Sequence, residues 1–112
     1  MHNEVSQSAQ RIARLLLDKK AQDVRIVDIS DMTIIADAFV IASGRTVVQT
    51  RALFDELHEK EGPPRREEGY AAGRWILMDY GDILVHIFHQ EEREFYDLER
   101  LWDRGNNITL VE

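Results

Sequence analysis

The chain has no cysteine and only two prolines, which stand side by side at positions 63 and 64. The first absence removes disulfides, thiolate nucleophiles and cysteine-type zinc sites, and it fits a reducing compartment. The motif Asp-x-Asp is also missing. Two-metal phosphoryl or nucleotidyl transfer relies on carboxylates projecting from one strand face to clamp cations, so that chemistry has no obvious home here. No apolar run reaches the roughly 20 residues needed to cross a bilayer, and the start MHNEVSQSAQ lacks the basic patch and apolar core of a signal peptide. A soluble, cytoplasmic protein with no membrane contact is expected. Positive charge is scarce as well, with 14 Lys and Arg against 21 Asp and Glu, a formal net charge of −7. Such a field repels a phosphate backbone, which argues against direct, non-specific nucleic-acid binding, and it favours a basic partner. Acidity is equally the ordinary route to solubility.

What is present is a foldable chain of 112 residues, 44% of them hydrophobic. That length forms a single domain (1–112, with its core over about 5–103) and buries roughly two-thirds of the unfolded surface. Val5, Ala9, Ile12 and Leu16 recur at helical spacing, with Ala13 and Leu17 widening the stripe, and predict a helix over 4–20. DVRIVDI at 23–29 alternates with period two and suits a strand buried on both faces. SDMTIIAD reads as a connector, and AFVIASG at 38–44 as a second strand stopped by Gly44. Thr46 can cap a helix over 47–60 whose inner face uses Val47, Phe54 and Leu57, ended by Gly62-Pro63-Pro64. Residues 62–73 form an irregular loop with room for a short strand at 65–68. QEEREFYDLERLWD at 90–103 places Phe95, Leu98, Leu101 and Trp102 on one helical face, followed by Gly105 as a cap and ITLV as a short edge strand. The fold class is α/β, a small mixed sheet flanked by helices.

WILMDYGDILVHIF, residues 75–88, is the most informative stretch. With Tyr80-Gly81 as a two-residue hairpin tip, Asp79 faces Asp82, Met78 faces Ile83, Leu77 faces Leu84, and Trp75 faces His86. Alternation then puts Ile76, Met78, Ile83, Val85 and Ile87 on a uniformly apolar face that belongs to the core. The other face carries Trp75, Leu77, Leu84 and His86, with the two aspartates at its tip. That mixture is either covered by a helix or offered to a partner. The aspartates have a bland explanation, because Asp commonly flanks tight turns. Trp75 and Tyr80 are residue types enriched at interface hot spots.

Other motifs carry less. ASGRTVVQT has the strand–Gly–helix order that can receive a phosphate. It lacks the second glycine and the lysine of a P-loop, and a capped strand-to-helix turn explains it better. His86 and His89 fall on opposite faces of a strand, which is unsuited to shared metal ligation. No metal, cofactor or catalytic residue is expected.

Several segments together resemble one family: DKKAQDVRIVDIS, ADAFVIASGRTVVQTRAL, EEG, and GRWILMDYGDILVHIFHQEEREFYDLERLW. Their likeness is to the ribosomal silencing factors, the iojap-like RsfS family, from about residue 9 to 103. The span from Trp75 to Trp102, with its Asp-Tyr-Gly-Asp turn and the following Arg93, Tyr96, Glu99 and Trp102, is the specific part. Ala38, where an aromatic is common, and Arg45-Thr46, in place of a serine-containing turn, depart from the pattern. The resemblance implies a fold of nucleotidyltransferase-superfamily topology without its catalytic residues. It further implies a protein that binds the large ribosomal subunit through universal ribosomal protein fourteen and sterically blocks joining of the small subunit. Translation is thereby repressed in starvation or stationary phase, with a further role in large-subunit maturation. The partner-binding edge expected is Trp75, Leu77, Asp79, Tyr80, Asp82, Leu84 and His86. Two competing readings stand beside this one. One is an enzyme that binds or transfers nucleotides; the other is a homodimeric adaptor that self-associates through Trp75 and the hairpin face.

Overall fold

The computed structural model describes residues 1–112. Its centre is a six-stranded sheet in the order β3-β4-β5-β2-β1-β6. The strands are β1 (Gln22–Asp28), β2 (Ala38–Gly44), β3 (Arg66–Glu68), β4 (Trp75–Asp79), β5 (Ile83–His89) and β6 (Ile108–Leu110). The helices are α1 (Asn3–Asp18), α2 (Val47–Glu61), α3 (Gln90–Tyr96) and α4 (Leu98–Leu101). β2 runs parallel to β5, Ala38 pairing with Ile83 and Gly44 with His89, whereas the other pairings are antiparallel. The mixed α/β architecture expected from the pattern is the one observed.

Two cores lie on opposite faces of this sheet. On one face α1 contributes Ala9, Ile12, Ala13 and Leu16, and α2 contributes Leu53, Phe54 and Leu57. They pack on Val24, Ile26, Val40, Ile76, Met78, Ile83, Val85 and Ile87. On the other face Val27, Ile29, Phe39, Ile41 and Phe88 form a smaller cluster, against which Trp75, Leu84, Leu98 and Trp102 pack. β2 is buried at every position, which is why its sequence shows an unbroken apolar run rather than alternation. β1 is covered on both faces as its sequence suggests, Val24 and Ile26 looking one way and Val27 and Ile29 the other.

α2 begins where expected, the Thr46 hydroxyl accepting from the Gln49 N–H at 3.1 Å, and ends at Gly62 with φ +85°. Its inner face differs in detail: Val47 is half-buried, and Thr50 and Leu53 take the inward positions. Thr50 donates its hydroxyl proton to the carbonyl of Gly73 at 2.6 Å, tying the loop before β4 to the helix.

The helix expected over 90–103 is two short helices. Asp97 adopts a left-handed conformation, φ 47° and ψ 52°, and breaks the run. The expected single apolar face is lost with it, since Phe95 is 80% and Leu101 75% exposed while Trp102 packs edge-on to Phe39 at 5.1 Å. The break serves a buried ion pair. Arg93 Nε and Nη2 both donate to Glu99 Oε2, at 3.1 and 2.8 Å, and Nη1 donates to Ser43 Oγ at 2.9 Å and to the Asp23 carbonyl. A continuous helix would carry Glu99 away from Arg93, because residues six apart fall on different sides.

Removing one member of a buried pair leaves an uncompensated charge. Arg93→Ala should therefore lower stability by ~3–5 kcal/mol, read as a drop in the urea midpoint. Arg93→Met combined with Glu99→Leu should recover most of that loss.

Candidate functional site: the outer face of the β4–β5 hairpin

The hairpin register differs from the one the sequence suggests. Trp75 pairs with Phe88, Leu77 with His86, Met78 with Val85 and Asp79 with Leu84. The turn residues are Gly81-Asp82 rather than Tyr80-Gly81, the Tyr80 N–H donating to the Ile83 carbonyl at 2.9 Å. The cause is local. Asp79 Oδ1 accepts from the Gly81 N–H at 2.8 Å, an Asx turn, and Gly81 takes φ +89° at the first turn position, where a side chain would be strained. Each residue's partner moves by two positions, so every side chain keeps its face. Ile76, Met78, Ile83, Val85 and Ile87 all lie in the larger core as expected.

Three expected placements change with the register. Asp79 and Asp82 do not face each other across the tip: Asp79 is opposite Leu84 and occupied by the turn, and Asp82 is exposed within it. Tyr80 is not at the tip. Its half-buried ring packs on the helical side, against the larger core, and its hydroxyl donates to the Gly62 carbonyl at 3.0 Å. Burial first, then the nearby Glu61 and Glu67 carboxylates, push the phenol up to about 12. Tyr80 wedges the turn against the end of α2. Trp75 and His86 are not opposite in the ladder, yet they meet, the indole N–H donating to His86 Nδ1 at 3.1 Å.

The outer face is a graded apolar surface. Phe88 and His86 are buried at its base, with Trp75, Leu77 and Leu84 half-exposed above them. Trp75 contacts Phe88 and Tyr96 at centroid distances of 4.8 and 4.9 Å, and Phe95 meets Tyr96 edge-on at 5.1 Å. Phe95, Tyr96 and Trp75 thus form an aromatic ridge running from solvent into the sheet. Sequence reasoning missed the outward turn of Phe95 and Tyr96 because it assumed one straight helix.

His86 is the buried titratable group of this face. Desolvation lowers its pKa to about 4, so the ring is neutral at physiological pH. Since Nδ1 accepts from Trp75, the remaining proton sits on Nε2, which has no acceptor. His89 looks elsewhere, its Nδ1 accepting from the Glu91 N–H at the start of α3. No three His, Asp or Glu side chains converge as a cation site would require.

The class is that of an α/β domain whose outer sheet face presents half-exposed Trp75, Leu77 and Leu84 beside the exposed Phe95 and Tyr96, with no cluster of metal-binding side chains. Residues 2–112 match the family model described as "Ribosomal silencing factor during starvation", RsfS, and the chain belongs to that family. It is 39% identical over 97 residues to the ribosomal silencing factor RsfS of Halalkalibacterium halodurans, 83% of each chain. A crystal structure of a Chromobacterium violaceum protein superposes with a TM-score of 0.79 at 30% identity, covering 95% of this chain and 92% of that one. A mouse protein named "Mitochondrial assembly of ribosomal large subunit protein 1" is 29% identical over 98 residues, 81% of this chain and 43% of its own length.

The buried histidine makes stability depend on pH. Its folded pKa, about 4, lies below the unfolded value of 6.5, so between those values the unfolded chain binds the extra proton. Stability is full above pH 6.5 and falls as pH drops towards 4, by up to about 3 kcal/mol. Thermal melts across that window should show the decline, and His86→Gln should flatten it. Tyr80→Phe, which keeps the ring and drops the Gly62 hydrogen bond, should cost ~0.5–1.5 kcal/mol in the same melts.

Proposed function

We propose that this chain binds the large ribosomal subunit through universal ribosomal protein fourteen and thereby sterically prevents the small subunit from joining. The outcome is repression of translation during starvation or stationary phase, in the cytoplasm, with a further part in large-subunit maturation. The observation that carries this reading is the family match over residues 2–112; the name of the mouse relative supports the choice of subunit. The net charge of −7 suits a basic ribosomal protein, and the outer face supplies the apolar part of a contact. Trp75, Leu77 and Leu84 are its centre and Asp79 and Asp82 its acidic border, while His86 supports Trp75 from below. The protein acts by occupying a surface, with no cofactor and no catalytic step. Asp79, the carboxylate most suggestive of chemistry, is used by its own turn.

Sedimentation tests the reading directly. The protein should travel with isolated large subunits and not with intact ribosomes, and it should reduce the joining of added small subunits. Co-sedimentation with intact ribosomes, or undiminished joining, would overturn it. Leu77→Ser with Leu84→Ser should weaken large-subunit binding by ~2–4 kcal/mol, about thirty- to a thousand-fold. Because opposite charges steer encounter, the association rate should fall as salt is raised, with dissociation changing less.

A further inference from the structure

The loop joining β1 to β2 carries two isoleucines that the core does not use. Ile34 is 103% and Ile35 71% exposed, although Ala36 beside them is buried and Met32 packs inward. Two adjacent, largely hydrated β-branched side chains are a cost in water, and the local hydrogen bonding holds them there. The Thr33 hydroxyl accepts from the Ile35 N–H at 3.2 Å, and the Met32 and Thr33 N–H groups both reach the Ile29 carbonyl. The far end of the loop is tied to the hairpin turn, Asp37 and Ala38 donating their N–H groups to the Asp82 carbonyl at 2.8 and 3.2 Å. The end of the loop and the hairpin turn therefore share one edge of the molecule. Its charge is acidic. Asp31 is neutralised by Arg104, but Asp37 and Asp82 enter none of the molecule's salt bridges. Arg65, lying over Gly81, is the cation beside the turn.

We infer that Ile34 and Ile35, with Asp37 beside them, form a further docking point for a basic protein surface that offers an apolar hollow, continuous with the β4–β5 face through the Asp82 turn that the two share. Charge selects the occupant. A second copy of this chain would bring a further net charge of −7 to an acidic rim, and nucleic acid would bring phosphates, so both are repelled. A basic protein is attracted, and the isoleucines supply the contact area that charge alone lacks. The proposal rests on the ribosome-binding reading for its choice of probe, the large subunit.

The test is equilibrium binding of the full chain to purified large subunits. Ile34→Ser with Ile35→Ser should bind at least about tenfold more weakly, and Ile34→Leu with Ile35→Leu should stay within about threefold of the unsubstituted chain. Both variants should melt normally, because the side chains are already in water. A serine variant that binds as well as the unsubstituted chain overturns the proposal. So does a leucine variant as weak as the serine one, since loop conformation rather than apolar area would then be responsible. Failure of the unsubstituted chain to bind large subunits overturns the ribosome reading itself, and this choice of partner with it.

Discussion

A guanidinium taken almost wholly out of water needs its N–H groups answered, and Arg93 finds the answers on three elements. Glu99 comes from α4, Ser43 from the end of β2, and the Asp23 carbonyl from β1. The geometry fixes where α3 must stop, and Asp97 accepts a left-handed backbone to allow it. Once Glu99 is held, Trp102 reaches Phe39 and Tyr96 lies on Trp75. The second layer of the molecule is positioned by the Arg93–Glu99 pair from within and by Arg74, bound to Glu91 and Glu92, from outside, and Leu98 and Trp102 close on the smaller core beneath it.

The face next to that layer is shaped by what the layer leaves uncovered. α3 and α4 are too short to span the sheet, so the β4–β5 side keeps Leu77 and Leu84 half in solvent. Beneath them a neutral histidine occupies a position that an aliphatic residue could fill. Its contribution is directional: by accepting the indole N–H it fixes the orientation of Trp75, where burial alone would leave the ring free to rotate. A preset aromatic loses less entropy when a partner arrives.

Periodicity made α1, β1, β2, α2 and both faces of the hairpin legible, because each buries a continuous stripe and burial is what apolar spacing reports. The register was not legible from spacing. Asp-Tyr-Gly-Asp admits two turns whose ladders differ by two positions, and both satisfy the apolar pattern equally. Hydrogen bonding by Asp79 decides between them, and no periodicity records it. The break at Asp97 was hidden for a related reason: aspartate tolerates a left-handed backbone better than most residues, as Asp23 also does at φ 52°, but periodicity does not mark which aspartate takes it. The pattern marks Ile34-Ile35 only as connector and gives Arg93 no structural role, since in both cases exposure is set by tertiary neighbours. Residue type and a Tyr80-Gly81 turn would put the aspartates and Tyr80 at a binding tip. The first does turn chemistry at Asp79, and the tyrosine wedges the turn from the other side.

The parallel pairing of β2 with β5 also governs when the molecule can come into being. Ala38 meets Ile83 only after α2, β3 and β4 have been traversed, and β1 meets β6 across nearly the whole chain. Contacts so distant in sequence must recover a large loop-closure entropy before they contribute, which slows folding. During synthesis the first half of the chain can form α1 and the β1–β2 pair, but β2 lacks its second neighbour, β5, until residue 89 has emerged. This domain therefore completes its sheet late, only once β6 has followed all the other strands out of the ribosome.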